Sequence, residues 1–336
     1  MTRPFSIQDI VLVQKLQDKG TRFDLPERLI RPRSPLQLAL LSYLFHREWG
    51  ADTCVLDGRG EQRSLRGFVQ VRVRPGRSEW DIICLAPPLE SGATALLTWE
   101  CLLQYVCRIA GEQRVLRLFA KVPENASAVD VFRSLDFHPY THEDIFRHES
   151  SMAFRDLQPP ALPLRGWRSE DDWGLHHLYV QVTPANVQIA EGVSSSNAGR
   201  AFNPEGRRAG EEEYVMEADR EIRGYLSLGI GSKGYSLRAV LHPSYLDRSE
   251  DLLRWGLAAL RKRPARPVYC SVRQYEKAME GPLRNQGFDV LAKQMLMVRQ
   301  LAVRFKEPVH KLVSALEKRV ETAPTHTCEE YVPKKA

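Results

Sequence analysis

One segment pattern occurs twice in this chain, and the repeat limits what the chain can fold into. Arg114 to Phe146 reads strand, loop, helix, turn, strand. Val115, Leu116, Leu118, Phe119 and Val122 form a short β-rich apolar run, and Pro123 ends it. Asn125 or Ser127 supplies a helix cap, and Ala128, Val131, Phe132 and Leu135 then fall at helical spacing. Asp136 stands where the helix stops, and Phe137 re-enters the core. Arg266 to Phe288 repeats the pattern: Phe137 and Phe288 lie 151 positions apart, and the same shift sets Phe132 on Leu283, Leu118 on Tyr269 and Ala120 on Ser271. Upstream, Arg66-Gly67-Phe68 matches Arg223-Gly224-Tyr225 at a shift of 157. Two matches in the same order argue for a duplicated unit with loops of different length.

The 336 residues give room for two cores of roughly 150 residues each. No apolar run reaches the roughly 20 residues that a membrane span needs, and the opening MTRPFSIQDI has no apolar signal core. Cys54, Cys84, Cys101, Cys107, Cys270 and Cys328 show no metal spacing and sit mostly in apolar runs. They read as reduced core residues, no metal is expected, and the protein is placed in the cytoplasm. The net charge of +6 is spread over runs such as RVRPGR at 72–77 and RKRPAR at 261–266. It reads as a solvated surface; a nucleic-acid role would rest on charge alone and is not favoured.

Along the chain, Phe5–Ile7 reads as a strand, Gln8–Gln17 as a helix, Pro26–Pro35 as a loop or broken helix and Pro35–His46 as a helix capped by Ser34. Cys54–Leu56, Leu65–Arg74 and Trp80–Leu85 are strands, and Ser91–Ile109 is a long helix. Arg155–Leu164 is Pro-rich and without period, which makes it the boundary. Past it, Asp171–Val182 is a helix and 192–213 a mobile loop; Tyr214–Glu217, Glu221–Leu228 and Tyr235–Leu241 are strands. Glu250–Lys262 (helix), Val268–Val272 (strand), Gln274–Asn285 (helix) and Gln294–Arg304 (strand) close the second unit, ahead of an amphipathic helix at Pro308–Thr322 and a disordered end. The expected domains are 1–154, a linker 155–163, 164–305, and an appended segment 306–336. The fold class is α+β: two tandem domains, each a mixed, mostly antiparallel sheet flanked by helices.

This segment order resembles the GNAT (Gcn5-related) N-acetyltransferase superfamily. The resemblance is carried by Trp80–Leu85, Ser91–Ile109, Val115–Val122 and Pro123-Glu124-Asn125 through Leu135-Asp136-Phe137, and by Tyr235–Leu241, Glu250–Lys262, Pro267–Val272 and Leu283 through Gly287-Phe288. It implies acetyl-CoA as co-substrate, lying in a splay between the strands that flank the long helix. The loop before that helix, Q/R-x-x-G-x-G/A in the family, gives its amides to the pyrophosphate, as unpaired N–H groups at a helix N-terminus do. Ser91-Gly92-Ala93 falls where G-x-G/A belongs, with Thr94 as a further donor, but Pro88 stands where the basic residue belongs and Glu90 adds a repelling charge. In the second unit Asp247-Arg248-Ser249, followed by Glu250 and Asp251, replaces the glycines. The expected cofactor contacts are therefore Leu85, Ser91, Gly92, Ala93, Thr94 and, by match to the family asparagine, Asn125.

Acetyl transfer to an amine needs a base for the amine proton and an acid for the leaving thiolate. Asp81, with Glu79 on the same strand face, is the candidate pair, its pKa expected to be raised by apolar surroundings. Phe132 and Leu283 stand where the family carries a tyrosine, and neither donates a proton; Tyr140 and Tyr275 read as packing residues. Two functions follow as expectations. One is an acetyltransferase acting on a small-molecule or peptide amine; the other is a catalytically inactive GNAT-fold binding or structural protein. The acceptor and the oligomeric state stay open.

Overall fold

The computed structural model describes residues 1–45, 51–58, 65–74, 78–124, 126–193, 202 and 210–301. In the first half, strands β1 (Thr2–Pro4), β2 (Thr21–Arg22), β3 (Ala51–Asp57), β4 (Arg66–Val73), β5 (Glu79–Ala86), β6 (Arg117–Pro123) and β7 (His138–His148) accompany helices α1 (Ile10–Leu16), α2 (Leu25–Ile30), α3 (Pro35–Leu44), α4 (Ala93–Glu112) and α5 (Ala126–Ser134). In the second, β8 (Leu164–Gly166), β9 (Glu211–Ala218), β10 (Glu221–Ile230), β11 (Tyr235–Leu241), β12 (Val268–Arg273) and β13 (Asp289–Gln300) accompany α6 (Asp172–Val182), α7 (Ala185–Glu191), α8 (Ser249–Ala259) and α9 (Glu280–Asn285).

Local chemistry sets these elements. All eight residues of β5 are buried, as in a strand covered on both faces. Helix α4 buries Ala95, Thr98, Trp99, Leu102, Leu103, Val106 and Ala110, one stripe at helical period. Its cap is Gly92 at φ +98°, a left-handed backbone that favours glycine. Ser34 caps α3, its hydroxyl accepting from the Gln37 amide, with Pro35 at the first helical position.

The strands form one sheet in the order β1-β3-β4-β5-β6-β13-β7-β12-β11-β10-β9-β8, with β2 paired to β5. The order shows an exchange. β13, the last strand of the second half, lies between β6 and β7 of the first, while β7 pairs with β12 of the second. Met297 of β13 accordingly sits in the core under α4 and α5, and Phe146 of β7 in the core under α8 and α9. Helices cross over as well. The Ile30 carbonyl at the end of α2 accepts from the Lys233 amide at 3.0 Å, and the Arg31 guanidinium donates to the Ile230 carbonyl at 2.8 Å. From the other side, Ala190 of α7 packs on Phe119 and Val298.

The duplication is visible in bonding. Arg3 forks onto Asp9 at 2.6 and 2.7 Å while the Ser6 amide donates to Asp9; Arg165 forks onto Asp171 at 2.7 Å while the Arg168 amide donates to Asp171. Both pairs lie 162 positions apart in the chain. The turn after α5 returns the Phe137 amide to the Phe132 carbonyl, and the turn after α9 returns the Phe288 amide to the Leu283 carbonyl, each through a positive-φ residue, Asp136 and Gly287.

Several boundaries differ from the sequence reading. The first strand is Thr2–Pro4, because Asp9 takes the Ser6 amide and starts a 3-10 turn at Ile7 ahead of α1. The 26–35 stretch holds α2, which tolerates Pro26 because the first turn has no use for its missing N–H. The expected helix 274–285 divides into a 3-10 turn, Gln274–Met279, and α9, where Glu276 turns back to accept the Arg273 amide. The closing strand starts at Asp289, five residues early, and β9 at Glu211, inside the expected loop. Most of the expected loop, and the appended helix and tail, lie outside the described residues.

Candidate functional site

The expected diphosphate turn is open. Ser91, Gly92, Ala93 and Thr94 are all exposed. The Ser91 and Gly92 amides bond to the Pro88 and Leu89 carbonyls, and the Ala95 amide to Gly92, so helix geometry leaves the amides of Ala93 and Thr94 for an outside acceptor. Glu90 shares this exposed turn. Asn125 lies outside the described residues.

The splay below that turn is filled. β5 and β6 pair in parallel from Glu79↔Arg117 to Ile82↔Ala120, and beyond that point they separate. A bulge at Ile83 in β5 marks the divergence. Into the gap goes β2: Thr21 pairs with Leu85 and Arg22 with Cys84, and the Phe23 amide donates to the Ile83 carbonyl at 3.0 Å. The β4 side of the same β5 residues is already taken, Val69 opposite Leu85 and Gln70 opposite Cys84. Leu85 is 0% exposed and paired on both edges, so it presents no surface to a cofactor. Behind it Phe23, Trp99 and Phe132 meet edge to face, with ring centroids 5.3 to 6.4 Å apart. The close approach depends on Gly20: a Cβ there would stand 3.1 Å from Cys84 Sγ, 3.2 Å from the Leu85 carbonyl oxygen and 3.3 Å from Ala86 Cβ. For acetyl-CoA, the turn offers small exposed residues and two amides to a diphosphate, but the β5 edge along which a pantetheine arm would lie is taken by β2. The second half's splay, where β11 and β12 part after Leu237↔Cys270, is bridged by Arg238 and Glu276 at 3.1 Å. Acids follow Ser249 at the start of α8.

Asp81 and Glu79 share a strand face, as expected, but both are buried in ion pairs. Arg74 reaches Asp81 at 2.6 Å and Glu79 at 3.3 Å, Arg117 reaches Glu79 at 3.3 Å, and Arg72 approaches Asp81 at 3.7 Å. The Arg74 guanidinium also lies 3.8 Å from the centre of the Phe119 ring. Burial alone would raise the Asp81 carboxyl. Arg74 and Arg72, with the hydrogen bond from Arg74, outweigh it and hold the pKa below the usual 3.8. This corrects the expected direction: the surroundings are not apolar but cationic, and they favour a fixed carboxylate.

On the same sheet face, the strand exchange assembles a buried set that the sequence reading missed. Arg273 pairs with Glu191 at 2.8 Å and donates to the Tyr275 hydroxyl at 2.8 Å, and the Tyr179 hydroxyl donates to Glu191 at 2.8 Å. Gln294 donates to Glu143, which Lys121 approaches at 3.7 Å. Burial, then Glu191, push the Tyr140 phenol well up against Arg273 and Arg74. Burial also works on Glu143, but Lys121, Arg273 and Arg238 hold its carboxyl below the usual 4.5. One signal was available: Glu143 and Gln294 are 151 positions apart, the repeat shift itself, and they face each other where β7 meets β13.

Among the described residues no group of three or more His, Cys, Asp or Glu is arranged to hold a metal ion, and no helix is long and apolar enough to cross a membrane. No protein-family model matches the chain, and no curated protein matches it by sequence. Solved structures match by fold. A tandem GNAT protein from the clavulanic acid biosynthesis pathway superposes with a TM-score of 0.51 at 15% identity, over 91% of this chain and 99% of that one. A GCN5-related N-acetyltransferase from Sphaerobacter thermophilus gives a TM-score of 0.50 at 14% identity, over 89% and 95%. At such identities the likeness is one of fold: the chain has the α+β fold of tandem GNAT proteins.

Proposed function

We propose that this protein is a binding member of the GNAT fold, one that does not turn over acetyl-CoA through its first half. The observation that carries this reading is β2 paired into the splay of β5, with Phe23, Trp99 and Phe132 packed behind it. The ion-paired Asp81 and Glu79 support it, since a carboxylate held by two arginines is a poor proton acceptor. Their role in this reading is to neutralise Arg74 in the core. The halves are taken as 1–154 and 164–305, joined at 155–163, in a cytoplasmic protein.

A second reading is acetyl transfer to an amine, and one observation favours it: the exposed turn Ser91–Thr94 keeps the small residues and free amides that a diphosphate needs. There the turn and Asn125 would hold acetyl-CoA once β2 had left, and Asp81 and Glu79 would serve as the acid–base pair. Calorimetric titration with acetyl-CoA at millimolar ligand, paired with a thiol-release assay on an amine panel, separates the two. Neither saturable heat nor released CoA is expected, and turnover on any amine overturns the binding-protein reading.

A further inference from the structure

Lined by Asp144 and Lys293, which face away from Glu143 and Gln294 on β7 and β13, and bordering the buried set at Arg273, lies a cleft of about 220 Å³. The first half supplies Glu124, His142 and Asp144 to it, and the second half supplies Lys277, Glu280 and Lys293. It therefore exists only because the strands exchange: Lys293 stands opposite Asp144 in the β13–β7 register, and Val272 of β12 opposite Asp144 on the other side. One wall satisfies itself, His142 Nδ1 lying 2.8 Å from Glu124 Oε1. Of the other five charges in the lining, Arg273 is held by Glu191 at 2.8 Å, whereas among the described residues Asp144, Glu280, Lys277 and Lys293 form no ion pair, although they line one small space.

That charge pattern selects a ligand. An inorganic anion would answer the two lysines and meet two carboxylates. A cation would answer the carboxylates and meet two lysines. Only a molecule with both signs answers both pairs, through charge-assisted hydrogen bonds. A cleft of about 220 Å³ suits a molecule of amino-acid size. Clefts between repeated halves are a usual place for such sites. We infer that this cleft binds a free α-amino acid, its carboxylate toward Lys277 and Lys293 and its ammonium toward Asp144 and Glu280. The inference does not depend on whether the first half admits acetyl-CoA.

The test uses the full chain and L-serine, a small amino acid with an uncharged side chain, in calorimetry at millimolar ligand. Saturable binding is expected, with acetate and methylammonium, the two halves of the ligand, at least about tenfold weaker. Lys277→Gln and Asp144→Asn are each expected to weaken L-serine by at least about tenfold. Lys277 is exposed on a 3-10 turn, so its variant tests the site even if Asp144→Asn does not fold. Absence of saturable heat with L-serine, or affinity unchanged in a Lys277→Gln variant that melts like the wild type, overturns the proposal.

Discussion

Arg74 joins two buried carboxylates and an aromatic ring at one place in the core. Its side chain is 5% exposed and answers Asp81 and Glu79 while covering Phe119. Arg74→Met strands two buried carboxylates. Arg72 and Arg117 compensate in part, so the expected loss is toward the lower end of about 3–5 kcal/mol, measured by urea unfolding. The same set fixes the acid response. A carboxyl with a lowered folded-state pKa stabilises the fold above its unfolded value and loses that contribution as pH falls through the folded one. Asp81 and Glu143 are both lowered, from 3.8 and 4.5, so their contribution is intact at neutral pH and is lost below about pH 4. In Asp81→Asn the acid limb of stability against pH is expected to be shallower; an unchanged limb would show that Asp81 is not paired in solution. The turn after α9 offers a cleaner backbone test. Gly287 has φ +78°, and a Cβ there meets the His148 ring at an ordinary 3.5 Å, so the cost of Gly287→Ala is conformational. It is expected to be about 1–2 kcal/mol, and less for Gly287→Asn, because Asn tolerates the left-handed region. Asp136, at φ +59°, occupies the matching place in the first half.

At the scale of elements, the sequence was most legible where period and burial coincide. β4, β5, α4 and β11 are where alternation, an apolar run or a helical stripe put them, because each buries its own pattern against a neighbour. The two-residue β2 has no period to read. Its strand character comes from Leu85 and Cys84 across the gap, more than sixty residues away, and the same pairing takes the expected cofactor groove. Alternation puts Asp81 on the right strand face but gives the wrong direction for its pKa. Alternation shows which way a side chain points, not that Arg74 from the preceding turn and Arg72 from β4 meet it there. The plug can be tested through Gly20. Gly20→Val presses side-chain carbon onto Cys84 Sγ, the Leu85 carbonyl and Ala86 Cβ, all of them fixed parts of β5. It is expected to cost about 1–3 kcal/mol. In hydrogen exchange the Phe23 amide, bonded to Ile83 in the wild type, is expected to lose protection in the variant while amides of β10 do not. Equal loss at both places would mean that the substitution acts on the whole fold and not on the plug.

For the whole molecule, the strand exchange constrains folding more than the internal repeat does. A repeat read from Phe137 and Phe288 suggests two domains joined at the Pro-rich 155–163 stretch. The pairing adds how the two halves are sealed. β6 has β13 as its neighbour and β12 has β7, so each half's last strand completes the other half's sheet and carries an apolar side chain, Met297 or Phe146, into the other half's core. Contacts hold Met1–Ala302 together as one unit. A chain split inside 155–163 is therefore expected to yield fragments 1–158 and 159–336 that are each insoluble or unfolded alone, because β6 and β12 would each keep an unpaired edge over an incomplete core. Co-expressed, the fragments are expected to recover a soluble pair of one-to-one stoichiometry, seen in size-exclusion chromatography. The intact chain is expected to melt in a single calorimetric transition, since neither core closes before both strands have crossed. Two separate transitions, or a soluble and cooperatively melting fragment 1–158, would show that the first half is complete without β13. The exchange would then be packing between finished domains and not a condition of folding.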